Sequence, residues 1–353
     1  MDILANPDTP GSIISKLDQL ATYKTDTFYA ALERIKRLNA SRLMIVKHVL
    51  SWVLYAVRPI SVDEVRHALA IDCEAGSFDD ANIIPEYQVT SFCAGIVVID
   101  QTRILRLVDE SVLEHIRDSS ILLEDPHGNI SLQCLTYLTM ENFLEKNPST
   151  TDREICAEKY PLVQYAADNW MTHHRRANQK HLVESKALVL LQRETGINFP
   201  LRSRDIGVSR AIGGLHACVY FDQTQWAEKL CRDGFPVDYV DESGQTALHW
   251  AAFMNRESIV SLLIRSGAQT NATDKQNNTP LHLAIFGNHE AVVHLLLQAG
   301  VDPGIYNNQN FTPLRWAIKY NCRAVAMLLA RSEAEVDVED RDGWTPLRWA
   351  IWQ

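Results

Sequence analysis

No Gly-x-x-x-x-Gly-Lys-Ser/Thr loop occurs anywhere in this 353-residue sequence. Without such a loop nothing cradles nucleotide phosphates in that manner, and hydrolysis of ATP or GTP is not expected. Cysteine is sparse: Cys73, Cys93, Cys134, Cys156, Cys218, Cys231 and Cys322 are odd in number and scattered, with no Cys-x-x-Cys pair. That pattern argues against a disulfide framework and against a zinc knuckle. Basic runs are missing too. Lys and Arg total 34 against 44 Asp and Glu, a net charge of -10, and acidic neighbours dilute the short cluster Arg175-Arg176. A broadly basic nucleic-acid surface is therefore not expected. The longest apolar run, around Val49 to Val57, is too short and too interrupted to span a bilayer. Met1-Asp2-Ile3-Leu4 lacks the basic start and apolar core of a signal peptide. Together these point to a cytoplasmic protein, with the nucleus as an alternative, and make Asn271-Ala272-Thr273 turn chemistry rather than a glycosylation site.

What is present is repetition. Thr246-Ala247-Leu248-His249 recurs as Thr279-Pro280-Leu281-His282, Thr312-Pro313-Leu314-Arg315 and Thr345-Pro346-Leu347-Arg348, always at the same 33-residue spacing. One interval earlier stands a degenerate copy, Gly213-Gly214-Leu215-His216. Cys218, Ala251, Ala284, Ala317 and Ala350 keep the same phase, as do Leu262-Leu263, Leu295-Leu296 and Leu328-Leu329, with Leu230 alone in the first copy. Gly234, Gly267 and Gly300 also keep step, until Glu333. Each position has a mechanical purpose. Thr caps a first helix and Pro at its first position has φ already set. The small residue allows close approach between copies, the Leu pair fills the layer between them, and the Gly ends the second helix in the left-handed region. One such unit cannot bury its apolar face alone, so stability comes from stacking.

This period and the Thr-Pro-Leu-His-x-Ala signature resemble the ankyrin repeat over about residues 207 to 353. Asn277 and Asn310 replace the turn glycines Gly244 and Gly343, which Asn tolerates because it enters the left-handed region readily. Arg315 and Arg348 replace the His, removing a turn-stabilising group but not the helix. Gln353 falls within the first helix of the fifth copy, leaving apolar surface around Trp349, Ile351 and Trp352 without a polar cap. The expectation is a fragment or truncated gene product; the alternative is a natural end that docks a partner.

The first 200 residues read differently. Residues 42 to 57 carry apolar side chains at helical spacing up to Pro59, and Ser61-Val62-Asp63-Glu64 is a capping box opening a second helix. A third helix fits Glu86 to Ala94. Two strands then fit Ile96 to Asp100 and Ile104 to Val108, joined by Gln101-Thr102-Arg103 as a hairpin. Three helices followed by a hairpin is the order of a winged helix. The stretches Leu50 to Ala56 with Arg58-Pro59, Val65 to Ala70, Phe92 to Asp100, Leu105 to Val108, Cys134 to Leu138 and Tyr160 to Ala167 carry a further resemblance. They resemble, in letters and in order over about residues 25 to 175, the segment following the ATPase in large fungal NACHT–ankyrin proteins, relatives of NOD-like receptors. Asp109-Glu110-Ser111 departs from the family's His-Tyr-Ser. The resemblance implies that residues 1–38 are the helical tail of an ATPase that is itself absent.

Residues 60 to 110 hold ten acidic and three basic side chains, and the third helix contains Glu86 and no cation, so DNA binding is disfavoured. His173, His174 and His181 are read as a solvated polar face with Arg175, Arg176 and Lys180 rather than as metal ligands. No nucleophile–base–orienter order appears, so no catalytic, cofactor or metal residue is assigned. Trp250, Trp316 and Trp349 occupy one equivalent position, where core packing is favoured over a ligand platform because Leu283 stands there in another copy.

The expected architecture is mainly α: an N-terminal helical segment (1–38), a winged-helix domain (39–120), a helical connector (121–206) and an ankyrin-repeat α-solenoid (207–353). The expected function is non-catalytic protein binding through positions that the repeat leaves free to vary. These are the turn tips Asp241, Glu242, Asp274, Lys275, Asn307, Asn308, Asp340 and Arg341, and the inner helix face Phe253, Met254, Phe286, Lys319 and Tyr320. Exposed Phe, Met and Tyr would supply the interface anchors. The setting implied by the resemblance is the sensor or adaptor part of a fungal NOD-like receptor; the alternative is a free-standing scaffold or substrate adaptor.

Overall fold

The computed structural model describes residues 27–110, 113–117, 119–139, 159–192, 197–199, 210–332, 344, 345, 348 and 351. The chain is mostly helical: among the described residues there are sixteen α-helices and three two-stranded antiparallel sheets, none closed. They form two compact units, residues 1–186 and 187–353.

In the first unit the described residues start with α1 (residues 27–36) and α2 (Ala40–Tyr55). Asn39 caps α2 by accepting from the Arg42 amide, and Val46, Val49, Leu50 and Trp52 lie buried along it. Arg58-Pro59 then turns the chain. The expected capping box forms: Ser61 Oγ accepts from the Glu64 amide at 3.2 Å, and the Ser61 amide donates to Glu64 Oε2 at 2.8 Å. It opens α3 (Val62–Leu69), and α4 (Glu86–Phe92) follows. Strands β3 (Val97–Ile99) and β4 (Leu105–Leu107) pair as the expected hairpin, with Val97 opposite Leu107. Residues 60–62 lie against the other edge of β4, through Leu105 N to Ile60 O at 3.0 Å and Val62 N to Arg103 O at 2.9 Å. The capping box therefore sits inside the sheet edge that closes the module.

A short hairpin of β1 (Ile71–Asp72) and β2 (Ser77–Phe78) was not legible in the sequence; Gly76, at φ 67°, makes its turn possible. After α5 (Leu113–Arg117), helix α6 (Pro126–Thr139) packs along α7 (Leu162–Arg176), and Ser131 Oγ donates to Trp170 O at 2.9 Å. Helix α7 corrects the solvated-face reading. His173 and His174 are buried, whereas Arg175, Arg176, Lys180 and His181 are exposed. The reason is helical phase: His173 lies two turns beyond Tyr165 and His174 one turn beyond Trp170, both buried, so the histidines inherit the core stripe. His173 Nε2 meets Tyr165 Oη at 2.8 Å, its Nδ1 meets His127 Nδ1 at 2.8 Å, and Tyr165 Oη accepts from the Val57 amide.

Helix α8 (Lys180–Leu191) runs into the second unit. The connector is not wholly helical: β5 (Ile197–Phe199) pairs with β6 (Arg210–Ile212), Ile197 opposite Ile212. Four helix pairs then follow at the 33-residue interval. They are α9 (Gly214–Tyr220) with α10 (Thr224–Arg232), α11 (Ala247–Phe253) with α12 (Glu257–Arg265), α13 (Pro280–Phe286) with α14 (Glu290–Gln298), and α15 (Pro313–Lys319) with α16 (Arg323–Arg331). First helices pack on first helices and second on second. Cys218, Ala251, Ala284 and Ala317 are buried where neighbouring first helices meet, and Leu230, Leu263, Leu296 and Leu329 fill the layer between second helices. Thr246, Thr279 and Thr312 cap as expected, and Thr345 Oγ1 still accepts from the Arg348 amide in the fifth copy.

Candidate interaction surface

Each pair of helices is joined to the next by a hairpin loop, and the loops are tied together in series. Lys275 N donates to Ser243 O and Asn308 N to Gln276 O, both at 2.9 Å. Inside the loops sit three of the expected partner-binding residues, and their burial is a correction. Asp241, Asp274 and Asn307 are buried. Asp241 Oδ1 accepts from the amides of Ser243 and Gln245, Asp274 Oδ1 from Gln276 and Asn278, and Asn307 Oδ1 from Gln309 and Phe311. A side-chain oxygen that closes its own turn is scaffold, so these positions are the short acceptors Asp and Asn for mechanical reasons. Glu242, Lys275 and Asn308, one residue on, are the exposed tips. Asp340 and Arg341 lie outside the described residues.

Buried histidines stitch the caps to the next loop. His216 Nε2 reaches Gln245 O at 2.8 Å, His249 Nε2 reaches Asn278 O at 3.0 Å and His282 Nε2 reaches Phe311 O at 3.1 Å. The opposite nitrogen, Nδ1, accepts from the Thr246 and Thr279 amides in the second and third copies. In the first copy Gly213 has no hydroxyl and His216 Nδ1 is buried without a protein partner among the described residues. Burial holds all three histidines below their ordinary pKa, His282 at about 4. In the fourth copy Arg315 stands in place of the histidine; it turns its Nη1 to Asn310 O and stacks its guanidinium 4.2 Å from the Phe311 ring centre.

Trp250 and Trp316 are buried, as expected for packing; Trp349 lies outside the described residues. The two rings differ in one respect. Trp250 Nε1 donates to Asp241 Oδ2 at 3.1 Å. At the equivalent position Asn307 uses Nδ2 as a donor to Asn278 Oδ1, and Trp316 Nε1 has no protein acceptor among the described residues. Trp250→Phe should therefore cost about 1–3 kcal/mol more than Trp316→Phe in chemical denaturation, because only the first removes a made bond. Equal losses would contradict this difference.

The inner helix face does come together. Phe253 and Phe286 stack with ring centres 6.2 Å apart, and Phe286 meets Tyr320 edge-on at 5.3 Å. Tyr320 in turn stacks on Trp316 at 5.8 Å. Phe286 remains 49% and Tyr320 41% exposed, Lys319 is exposed, and Phe253 and Met254 are half-buried. Tyr220, one interval before Phe253, holds the equivalent position in the degenerate first copy. A second periodic signal was also overlooked. Asp222, Asn255, Asn288 and Asn321 fall at the 33-residue spacing, and all have φ between 52° and 56° in the turn between paired helices.

Residues 215–307 and 287–353 match the family model described as ankyrin repeats (3 copies). The C-terminal solenoid is an ankyrin array. Residues 32–124 match the model described as GPI inositol-deacylase, winged helix domain, over α2 to β4 and beyond. A curated relative, "Calmodulin-binding transcription activator CBT" from Oryza sativa subsp. japonica, is 47% identical over 49 residues. That stretch is 14% of this chain and 5% of the relative's length. Ankyrin repeats generally mediate protein–protein binding, and neither family match indicates an enzymatic family. No helix among the described residues is long and apolar enough to cross a membrane.

Proposed function

We propose that the chain is a non-catalytic protein-binding module, the sensor or adaptor part of a cytoplasmic or nuclear fungal NOD-like receptor. Its partner is a protein held on the inner helix face, with Phe253, Met254, Phe286, Lys319 and Tyr320 in the centre and the tips Glu242, Lys275 and Asn308 at the rim. The observation that carries this reading is the exposed aromatic row. Phe286 and Tyr320 leave a large fraction of their rings in water at positions where the stacked core does not need them, and aromatic anchors are what interfaces use.

The winged-helix region supports a protein rather than a nucleic-acid partner. The three cations of residues 60–110 are engaged by carboxylates: Arg103 with Asp63 and Glu86, Arg66 with Asp63, and Arg106 with Asp100. Glu86 and Asp63 thereby stand where a DNA-reading surface needs free positive charge.

Capture from a cell extract tests the reading. Proteins retained by the wild-type chain should be lost with Phe286→Ser/Tyr320→Ser and weakened with Glu242→Ala/Lys275→Ala/Asn308→Ala, each variant melting as the wild type does. If both variants retain the same proteins as the wild type, this face is not the binding surface.

A further inference from the structure

Charge is distributed unevenly along the array. Residues 303–332, which carry both helices of the fourth copy and the loop before them, contain Arg315, Lys319, Arg323 and Arg331 and no Asp or Glu, within a chain of net charge -10. The acidic run Glu333 to Asp342 follows directly in the sequence, so the segregation is sharp. Two of the four cations have structural reasons. Arg315 is buried, hydrogen-bonded to Asn310 O and stacked on Phe311. Arg331 lies in the last turn of α16, where the helix dipole favours a cation.

The other two go against the pattern of the array. Lys319 occupies the position of Phe253 and Phe286, and its ammonium lies 4.5 Å from the Phe311 ring centre and 5.7 Å from that of Tyr320. Arg323 opens α16 at the position where Glu257 opens α12 and Glu290 opens α14. A cation at a helix N-terminus opposes the dipole that those glutamates satisfy. Arg323 is exposed and makes no ion pair among the described residues. Nothing among the described residues therefore accounts for it, and it stands three residues from Tyr320, at the same end of the helix pair as the aromatic row.

We propose that this edge receives an acidic peptide segment of the protein partner. An aromatic or branched aliphatic side chain of the segment rests on Phe286 and Tyr320, and flanking carboxylates meet Lys319 and Arg323. The proposal rests on the aromatic face being the binding surface and adds the chemistry of what it binds. Paired charges of this kind steer association and set register more than they add affinity, and they weaken with salt.

The probe is a fluorescein-labelled peptide, Asp-Glu-Phe-Glu-Asp-Leu-Glu, followed by anisotropy against the full chain at low and raised salt. Three companion peptides have the acids changed to amides, the acids changed to lysine, or Phe and Leu changed to glycine. The acidic peptide should bind saturably, lose affinity with salt, and bind roughly tenfold more weakly to Lys319→Gln/Arg323→Gln. Arg323→Glu should weaken it as much while leaving the melting midpoint unchanged or raised, which separates lost recognition from lost folding. Phe286→Ala should weaken the acidic peptide, and the glycine peptide should not bind. No saturable binding, or equal binding of the acidic peptide by wild type and Lys319→Gln/Arg323→Gln, overturns the proposal. If the amide peptide binds as tightly as the acidic one and Phe286→Ala abolishes both, the acidic preference fails while the aromatic face stands as the binding surface. If Phe286→Ala changes neither, both fail.

Discussion

Gly214→Ala should destabilise the ankyrin unit by about 1–3 kcal/mol, the usual range of overpacking against a neighbour. Helix propensity points the other way, since alanine in place of a helical glycine ordinarily adds up to about 1 kcal/mol. The sign is decided by Leu191. A Cβ on Gly214 would fall inside van der Waals contact of the Leu191 carbonyl oxygen, with the rest of that backbone unit also too close. The oxygen belongs to the last turn of α8, which sits on the start of α9 and closes the N-terminal end of the stack. A backbone group cannot swing aside as a side chain would. The neighbouring Gly213 is a useful contrast, because its Cβ would meet the Tyr239 ring at 2.6 Å, an obstacle that can rotate. Gly213→Ala should cost less than Gly214→Ala, and urea denaturation of the two variants measures the difference. A midpoint for Gly214→Ala at or above that of the wild type would show that α8 does not pack there.

Acidification should unfold both units over a window set by buried histidines. Burial in the first unit lowers His173 to about 3, with nearby His127 and Arg176 adding to the effect, and lowers His48 to about 4. His67 and His174 shift in the same direction, again through burial. In the ankyrin unit His282 falls to about 4, with His216 and His249 also lowered by burial. The folded state thus holds these rings neutral, whereas in the unfolded chain they titrate near 6.5. Between the two values the unfolded chain binds more protons, so stability is complete above about pH 6.5 and is lost as pH falls towards 4. At about 1.4 kcal/mol per pH unit for each group, one histidine lowered to about 4 removes roughly 3 kcal/mol. Several together exceed the stability of an ordinary domain. Denaturant midpoints followed by tryptophan fluorescence should fall steeply between about pH 6.5 and pH 4. His48→Gln should flatten the slope for the first unit and leave that of the ankyrin unit alone. A midpoint independent of pH across this window would mean that the rings are not held neutral.

The histidines also show where sequence reading stopped. The 33-residue phase, the threonine caps, the capping box of Ser61 and Glu64 and the wing hairpin were all legible, as was the left-handed role of Asn277 and Asn310. Each depends on residues within a turn or two of one another, or on a φ value that only certain residues adopt. His173 was misread because its charged neighbours Arg175 and Arg176 drew it towards solvent, although its spacing from Tyr165 placed it on the core stripe. Part of the candidate surface was misread in the opposite sense. Asp241, Asp274 and Asn307 look like variable polar tips one copy at a time, yet they are the internal braces of their loops.

By itself, then, the sequence determined the repeat, its start at Gly213, the three helices and wing hairpin of the N-terminal module and the aromatic positions facing out of the array. Short-range sterics and hydrogen bonds dictate these. Only the tertiary structure decided which polar side chains are buried, why the first copy needs Gly213-Gly214, that β5 and β6 pair, and that Trp316 lacks the acceptor Trp250 has. Those outcomes depend on which backbone or side chain arrives from another copy or another helix, and no local pattern records that arrival.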